Sequence, residues 1–217
     1  MYKLVIFDLD GTLLNTLDDL AASANYALRQ KGYREHTAEQ YKAFIGHGPV
    51  RLITMAAPPQ HRDDASVSEL RGIFAAHYAS HGTDLTKPYP GVLEVLHTLK
   101  KSGIKIAVYS NKPDKNTARL CEIFFPGLVD MSVGFKDGIP PKPDPAAGFE
   151  ILESFAVTGD ETAYIGDSGV DMQTGRALGA FTIGVSWGFR PRAELEGTGA
   201  SAVADSAQEL LNLLLTT

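Results

Sequence analysis

Short apolar runs punctuate the chain, and each gives way to polar or glycine-rich residues. The first, at 3–7, stops abruptly at Asp8; similar runs recur at 104–109, 162–165 and 181–185, with a weaker one at 129–134. Continuous runs of this kind predict strands covered on both faces. Between them, apolar residues three and four apart predict amphipathic helices over 92–99, 118–124, 146–155 and 172–178. In the first of these, Val92, Leu93, Val95, Leu96 and Leu99 form the apolar face, and Lys100, Lys101 and Gly103 supply stop signals. Alternating strands and helices predict an α/β fold, a mostly parallel sheet with helices on both faces. Segment 15–87 breaks the alternation. Its apolar spacing gives helices over 17–30, 38–44, 50–56 and 67–81 without a convincing strand, which predicts an inserted all-helical domain. The segment Lys87-Pro88-Tyr89-Pro90-Gly91, stiffened by two prolines, marks its exit. The expected division is therefore 1–14 with 88–217 as one domain and 15–87 as the other.

A chain of 217 residues that is 44% hydrophobic can bury a full core and carry a smaller accessory unit. Its formal net charge of −6 and scattered Lys and Arg residues argue against nucleic acid or an anionic membrane as partners. No leader-like pattern opens the chain, and no apolar stretch reaches the roughly 20 residues of a membrane span, so a cytoplasmic protein is expected. The lone Cys121 sits among Leu120, Ile123 and Phe124 and is expected to be a small buried hydrophobe. Whether the protein is a monomer or a homodimer is open at this level.

Open parallel sheets bind ligands beyond the carboxyl ends of their strands, so the polar residues there carry the candidate chemistry. Asp8, Asp10, Gly11 and Thr12 follow the first strand; Ser110 and Asn111 follow the second. Lys142 comes after the weak third, and Asp167 and Asp171 after the fourth. Singly, each group has an ordinary alternative as a turn, a solvated side chain or a helix cap. Jointly, an acidic cluster with one Ser and one Lys suits a phosphoryl group and a divalent cation.

The runs Asp8-Leu9-Asp10-Gly11-Thr12-Leu13, Ser110-Asn111-Lys112-Pro113, Lys142-Pro143 and Gly166-Asp167-Ser168-Gly169-Val170-Asp171, in this order, resemble the four motifs of the haloacid dehalogenase-like superfamily. The chain is most similar to its phosphoglycolate phosphatase-like group, in which a helical cap is inserted after the first motif. That resemblance implies a Rossmann-like core, a small phosphorylated metabolite as substrate, and Mg²⁺. It implies Asp8 as nucleophile and Asp10 as acid and base. Ser110 and Lys142 would act on the phosphoryl oxygens, with Gly11, Thr12 and Asn111 among the substrate-binding residues. Asp8, the Asp10 backbone carbonyl and Asp167 would bind the metal, while Asp171 would hold Lys142 or a metal-bound water. Arg51, in the loop Gly46-His47-Gly48-Pro49-Val50-Arg51, resembles a cap residue facing the substrate and could grip a second anionic group. A β-phosphoglucomutase-like phosphomutase would use the same pair of aspartates, although Thr12 stands where those enzymes usually carry Val. A phosphoacceptor receiver domain combines similar residues but has no helical insertion after its first strand.

Overall fold

The computed structural model describes residues 2–216. In chain order the elements are β1 (Leu4–Phe7), β2 (Leu14–Asn15), α1 (Leu17–Gln30), α2 (Ala38–Lys42), α3 (Gly48–Ala56), α4 (Asp64–His81), β3 (Lys87–Pro88), α5 (Val92–Lys101), β4 (Lys105–Pro113), α6 (Asp114–Phe124), β5 (Met131–Phe135), α7 (Ala146–Phe155), β6 (Thr162–Gly166), α8 (Gly169–Ala177), β7 (Phe181–Val185), α9 (Arg192–Gly197), β8 (Ala202–Ala204) and α10 (Ala207–Leu215). They group into two compact units, Met1–Leu14 with Pro88–Thr217, and Asn15–Lys87. The short strands β2 and β3 pair with each other. Among the described residues no helix is long and apolar enough to cross a membrane.

The first unit is built on a six-stranded sheet in the order β5-β4-β1-β6-β7-β8. Every pairing in it is parallel. The central strand β1 pairs through Leu4 with Lys105 on one side and Thr162 on the other, so the ends of β1, β4 and β6 are held in a common register. Its alternate residues face opposite layers. Val5 and Phe7 join a cluster with Val95 and Leu99 of α5, Leu120 of α6, and Leu210 and Leu214 of α10. Leu4 and Ile6 join another with Ala147, Ile151 and Leu152 of α7 and with Leu178. Burial on both faces explains why β1 reads as an unbroken apolar run.

Several features depart from the sequence-based expectation, among them β2, β3, α9 and α10, which no apolar pattern announced. Strand β4 continues through Ser110 and Asn111 to Pro113, and its register with β5 shifts between Tyr109 and Pro113. Ser110 and Asn111 are therefore strand residues at a sheet irregularity and not a turn beyond it. Strand β8, with only Ala202, Val203 and Ala204, is too short and too poor in β-branched residues to show as an apolar run. Helix α4 begins at Asp64, because the Asp63 carboxylate caps it by accepting from the Ser66 N–H at 3.0 Å.

In the second unit the four helices enclose a core that includes Leu20, Ala24, Leu28, Tyr41, Ile53, Leu70 and Phe74. Helix α2 is short and gains a reciprocal cap, in which Thr37 and Gln40 exchange hydrogen bonds. Asp19, buried in the first turn of α1, accepts from the backbone N–H groups of Leu85 and Thr86 and from the Thr86 hydroxyl at 2.7–3.1 Å. This carboxylate ties the exit segment to α1. Asp19→Ala leaves the buried Thr86 donors unpaired and should destabilise the protein by about 2–3 kcal/mol. A thermal melt equal to that of the wild type would show that the tie carries no stability.

Candidate active site

Asp8 follows β1 directly, and its N–H donates to the Ile165 carbonyl at 2.9 Å, extending the ladder with β6. Lys142 arrives from the segment between β5 and α7 and is 3% exposed. Its ammonium donates to Asp8 Oδ1 at 2.8 Å, to Asp171 Oδ1 at 2.7 Å and to the Tyr109 carbonyl at 2.9 Å, which uses all three of its protons. The rings of Tyr109 and Tyr164 lie 5.4 and 5.9 Å from the same nitrogen, within cation–π range. Asn111 braces the Lys142 main chain in both directions: its Nδ2 donates to the Lys142 carbonyl at 3.1 Å, and its Oδ1 accepts from the Lys142 N–H at 2.8 Å.

Asp167 stands just past β6 and is pinned through Oδ2, which accepts from the Phe189 N–H at 2.7 Å. Asp171, in the first turn of α8, gives its second oxygen to the Ser168 hydroxyl at 2.6 Å and to the Ser168 N–H at 3.2 Å. One oxygen from each of Asp8, Asp167 and Asp171 lies within 4.8 Å of the others. Glycine is required beside this cluster. A Cβ on Gly11, whose φ is 90°, would lie 2.3 Å from Asp167 Oδ2, and one on Gly188 would lie 2.2 Å from the Asp167 Cβ.

The remaining sequence-predicted residues of this unit lie on the same rim. Ser110 is buried, and its Oγ accepts from the Lys112 N–H at 3.3 Å, so its own proton is available to a ligand. Thr12 is buried with its hydroxyl unpaired, while its carbonyl accepts from Trp187 Nε1 at 3.1 Å. Asp10 takes the Lys112 ammonium on both carboxylate oxygens, at 2.9 and 3.0 Å. Arg51 belongs to the helical unit and is exposed on the first turn of α3. Sequence reasoning gave no role to Lys112, Tyr109, Tyr164 or the Phe189 N–H. Lys112 could have been found by period-two alternation, which places it on the same side of an extended strand as Ser110.

Burial is the largest influence on Asp8 and Asp167. It pushes Asp8 from its ordinary 3.8 up to about 7, with the Lys142 charge opposing the shift and the Asp171 charge adding to it. Asp167 is driven well above the usual carboxylate range by burial and then by the charges of Asp171 and Asp8. Burial opposes the charge on Lys142, yet Asp171 and Asp8 outweigh it and hold the ammonium well above its ordinary value. Cys121 is buried, and its thiol is pushed up to about 12 by that burial, an inert setting.

Three carboxylates against one ammonium make a donor set short of positive charge. Asp171 commits both oxygens to Lys142 and Ser168. Asp8 and Asp167 each commit only one to the described residues. Hard oxygen donors with surplus negative charge fit a divalent cation.

Comparison with known proteins agrees with this geometry. The family model for haloacid dehalogenase-like hydrolases matches residues 5–185, and the chain belongs to that family. It is 32% identical over 215 residues to a phosphoglycolate phosphatase of Pseudomonas putida, covering 96% of this chain and 78% of the relative. It is also 32% identical over 218 residues to a phosphoglycolate phosphatase of Vibrio parahaemolyticus, covering 98% and 96%. A crystal structure from Lactobacillus delbrueckii subsp. bulgaricus, provisionally named a phosphoglycolate phosphatase, superimposes with a TM-score of 0.93 at 35% identity, covering 100% of this chain and 99% of that one.

The charge imbalance makes a stability prediction. Because the folded-state value of Asp8 is raised from 3.8 to about 7, the folded chain retains a proton that the unfolded chain has released, and the metal-free protein should lose stability as pH rises across that window. Removing one of the like charges should relieve the strain: Asp167→Asn should raise the metal-free melting temperature at pH 7 by about 2–4 °C. A lower melting temperature would mean that the Phe189 N–H contact outweighs the repulsion.

Proposed function

We propose that this chain is a magnesium-dependent phosphatase that hydrolyses a small phosphate monoester, with phosphoglycolate the leading substrate, through an aspartyl phosphate on Asp8. The observation that carries this reading is the buried Asp8 carboxylate, with one oxygen held by Lys142 and the other left to attack. The names of the relatives supply the substrate class.

In the first half-reaction an Asp8 oxygen attacks phosphorus, the bond to the ester oxygen breaks, and Asp10 gives that oxygen a proton. Ser110 donates its hydroxyl proton to a phosphoryl oxygen, and Lys142 offsets the charge on the transferring group. In the second half-reaction Asp10, now a carboxylate, takes a proton from the water that attacks the phosphorus. The bond to Asp8 breaks, inorganic phosphate leaves, and both carboxylates return to their starting states. Asp8, Asp167 and the Asp10 carbonyl are the residues that would hold Mg²⁺. When bound, the ion would supply positive charge that offsets the negative charge of the carboxylates and of the phosphoryl group. Burial and the Asp171 charge otherwise favour protonation of Asp8, and a cation held there would favour its ionised, attacking form. Asp171 acts behind them by fixing Lys142, and Asn111 by fixing the Lys142 backbone. Thr12 and Gly11 shape the floor of the phosphate site, and Arg51 binds the second anionic group of the substrate.

Asp8→Asn should lower phosphate release from p-nitrophenyl phosphate and from phosphoglycolate by at least about 10³-fold, and chelation should abolish release in the wild type until Mg²⁺ is restored. Activity that survives either treatment would remove the proposed nucleophile or the cation. Arg51→Ala should raise KM for a carboxylated substrate about tenfold while leaving KM for p-nitrophenyl phosphate within about twofold. An equal rise for both would place Arg51 outside substrate recognition.

A further inference from the structure

Lys112 is a buried cation that the proposed reaction sequence does not use. Its side chain is 3% exposed, and its ammonium spans both oxygens of Asp10, whose side chain is 13% exposed, at 2.9 and 3.0 Å. A lysine is seldom this buried, because losing its hydration costs several kcal/mol unless a partner compensates, and an apolar side chain of the same volume would serve packing as well or better. The backbone that carries it is held on several sides. The Lys112 N–H donates to Ser110 Oγ, and its carbonyl accepts from Thr117 Oγ1 at 3.2 Å. Gly134 packs so closely that a Cβ there would lie 2.6 Å from the same carbonyl. The ammonium is thus presented from a fixed strand, whereas Asp10 sits in the turn after β1, where Gly11 has a positive φ. Of the two, the strand is the better anchor.

We propose that Lys112 is the positioning residue of Asp10, holding its carboxylate on the side from which it serves the leaving oxygen and the attacking water. This inference rests on the reading of Asp10 as acid and base. A paired ammonium stops the carboxylate from rotating between the orientations open to a short side chain in a turn, and an acid misplaced by about 1 Å can lose about 100-fold in rate. The demand on that placement depends on the leaving group. An alkoxide needs a proton as the ester bond breaks, whereas p-nitrophenolate departs without one.

The test compares kcat/KM, which reports the steps up to cleavage of the ester, for an alkyl phosphate and for p-nitrophenyl phosphate in the Mg²⁺-loaded enzyme. Lys112→Met should lower the alkyl value at least about tenfold more than the aryl value, and Asp10→Asn should show the same selectivity to a greater degree. The double variant should be no slower than Asp10→Asn alone, since Lys112 acts through Asp10. Equal losses on both substrates in Lys112→Met, or additive losses in the double variant, would overturn the proposal. If Asp10→Asn itself shows no selectivity, the acid–base reading fails and takes the inference with it; if it does and Lys112→Met does not, only the inference fails. Should Lys112→Met not fold, the wild type decides the matter in a crystal structure with beryllium fluoride on Asp8. Lys112 still paired with Asp10 supports the assignment, and Lys112 turned to the fluoride overturns it.

Discussion

A surplus of buried negative charge governs this molecule. Asp8, Asp167 and Asp171 bring three carboxylate oxygens within 4.8 Å of one another, and the Lys142 ammonium contacts two of these side chains directly. At that separation two unit charges repel by about 3 kcal/mol with an effective dielectric of about 20, and burial adds to the penalty. Such a cluster forms only because the surrounding framework is more favourable than the cluster is costly. The framework is the sheet: Leu4, Val5, Ile6 and Phe7 lie between two apolar layers, and burying each contributes about 1.5–3 kcal/mol. Parallel strands that pack so well place their ends, and the acids just beyond them, where the register dictates.

Two lysines divide the work of neutralisation. Lys142 serves Asp8 and Asp171, while Lys112 serves Asp10. Strand β4 organises both. Tyr109 gives its carbonyl and ring to Lys142, and Asn111 grips the Lys142 backbone. Ser110 and Lys112, the intervening positions, meet each other through Oγ and N–H, and Lys112 reaches Asp10. Period-two alternation thus sends successive residues of one strand to the two members of the Asp-x-Asp pair. The sheet irregularity between Tyr109 and Pro113 falls where these side chains are aimed, in keeping with the use of such irregularities beside functional sites.

Much of this was legible in the sequence, and what was not has physical causes. The unbroken apolar run of β1 and the alternation of strand and helix identify the parallel sheet because burial on both faces leaves no polar positions. The acids at the strand ends follow from the same logic. Strand β8 escaped because its side chains are small and it borrows its pairing from β7. The extension of β4 through Ser110-Asn111-Lys112 escaped because three polar residues resemble a turn when their partners are unknown. In the site, Asp10 and Lys112 are separated by 102 residues along the chain, and Lys142 and Asp8 by 134. The resemblance to known motifs placed Lys142 and Asp8 in one site, whereas strand alternation puts Lys112 only on the side of Ser110 and gives no signal for its pairing with Asp10. The Tyr109 and Tyr164 rings about Lys142 were hidden for the opposite reason, since aromatic residues within a strand look like core.

Crowded like charges would ordinarily relax by turning away from one another, and here the walls prevent it. Asp167 is held at Oδ2 by the Phe189 N–H, while the Gly11 and Gly188 backbones pack so closely that even a methyl group on either would collide with it. Asp171 is fixed at both oxygens, and Asp8 at one by Lys142. Repulsion that cannot be relieved by rotation must be relieved by a proton or a cation, which compete for the same carboxylates. On the proposed reading, a divalent ion that displaced the proton would both stabilise the fold and ionise Asp8 for attack, so that occupancy of the site and readiness for attack would be a single equilibrium. The rigidity that makes the metal-free cluster unfavourable is therefore what would couple metal binding to the proposed chemistry of Asp8.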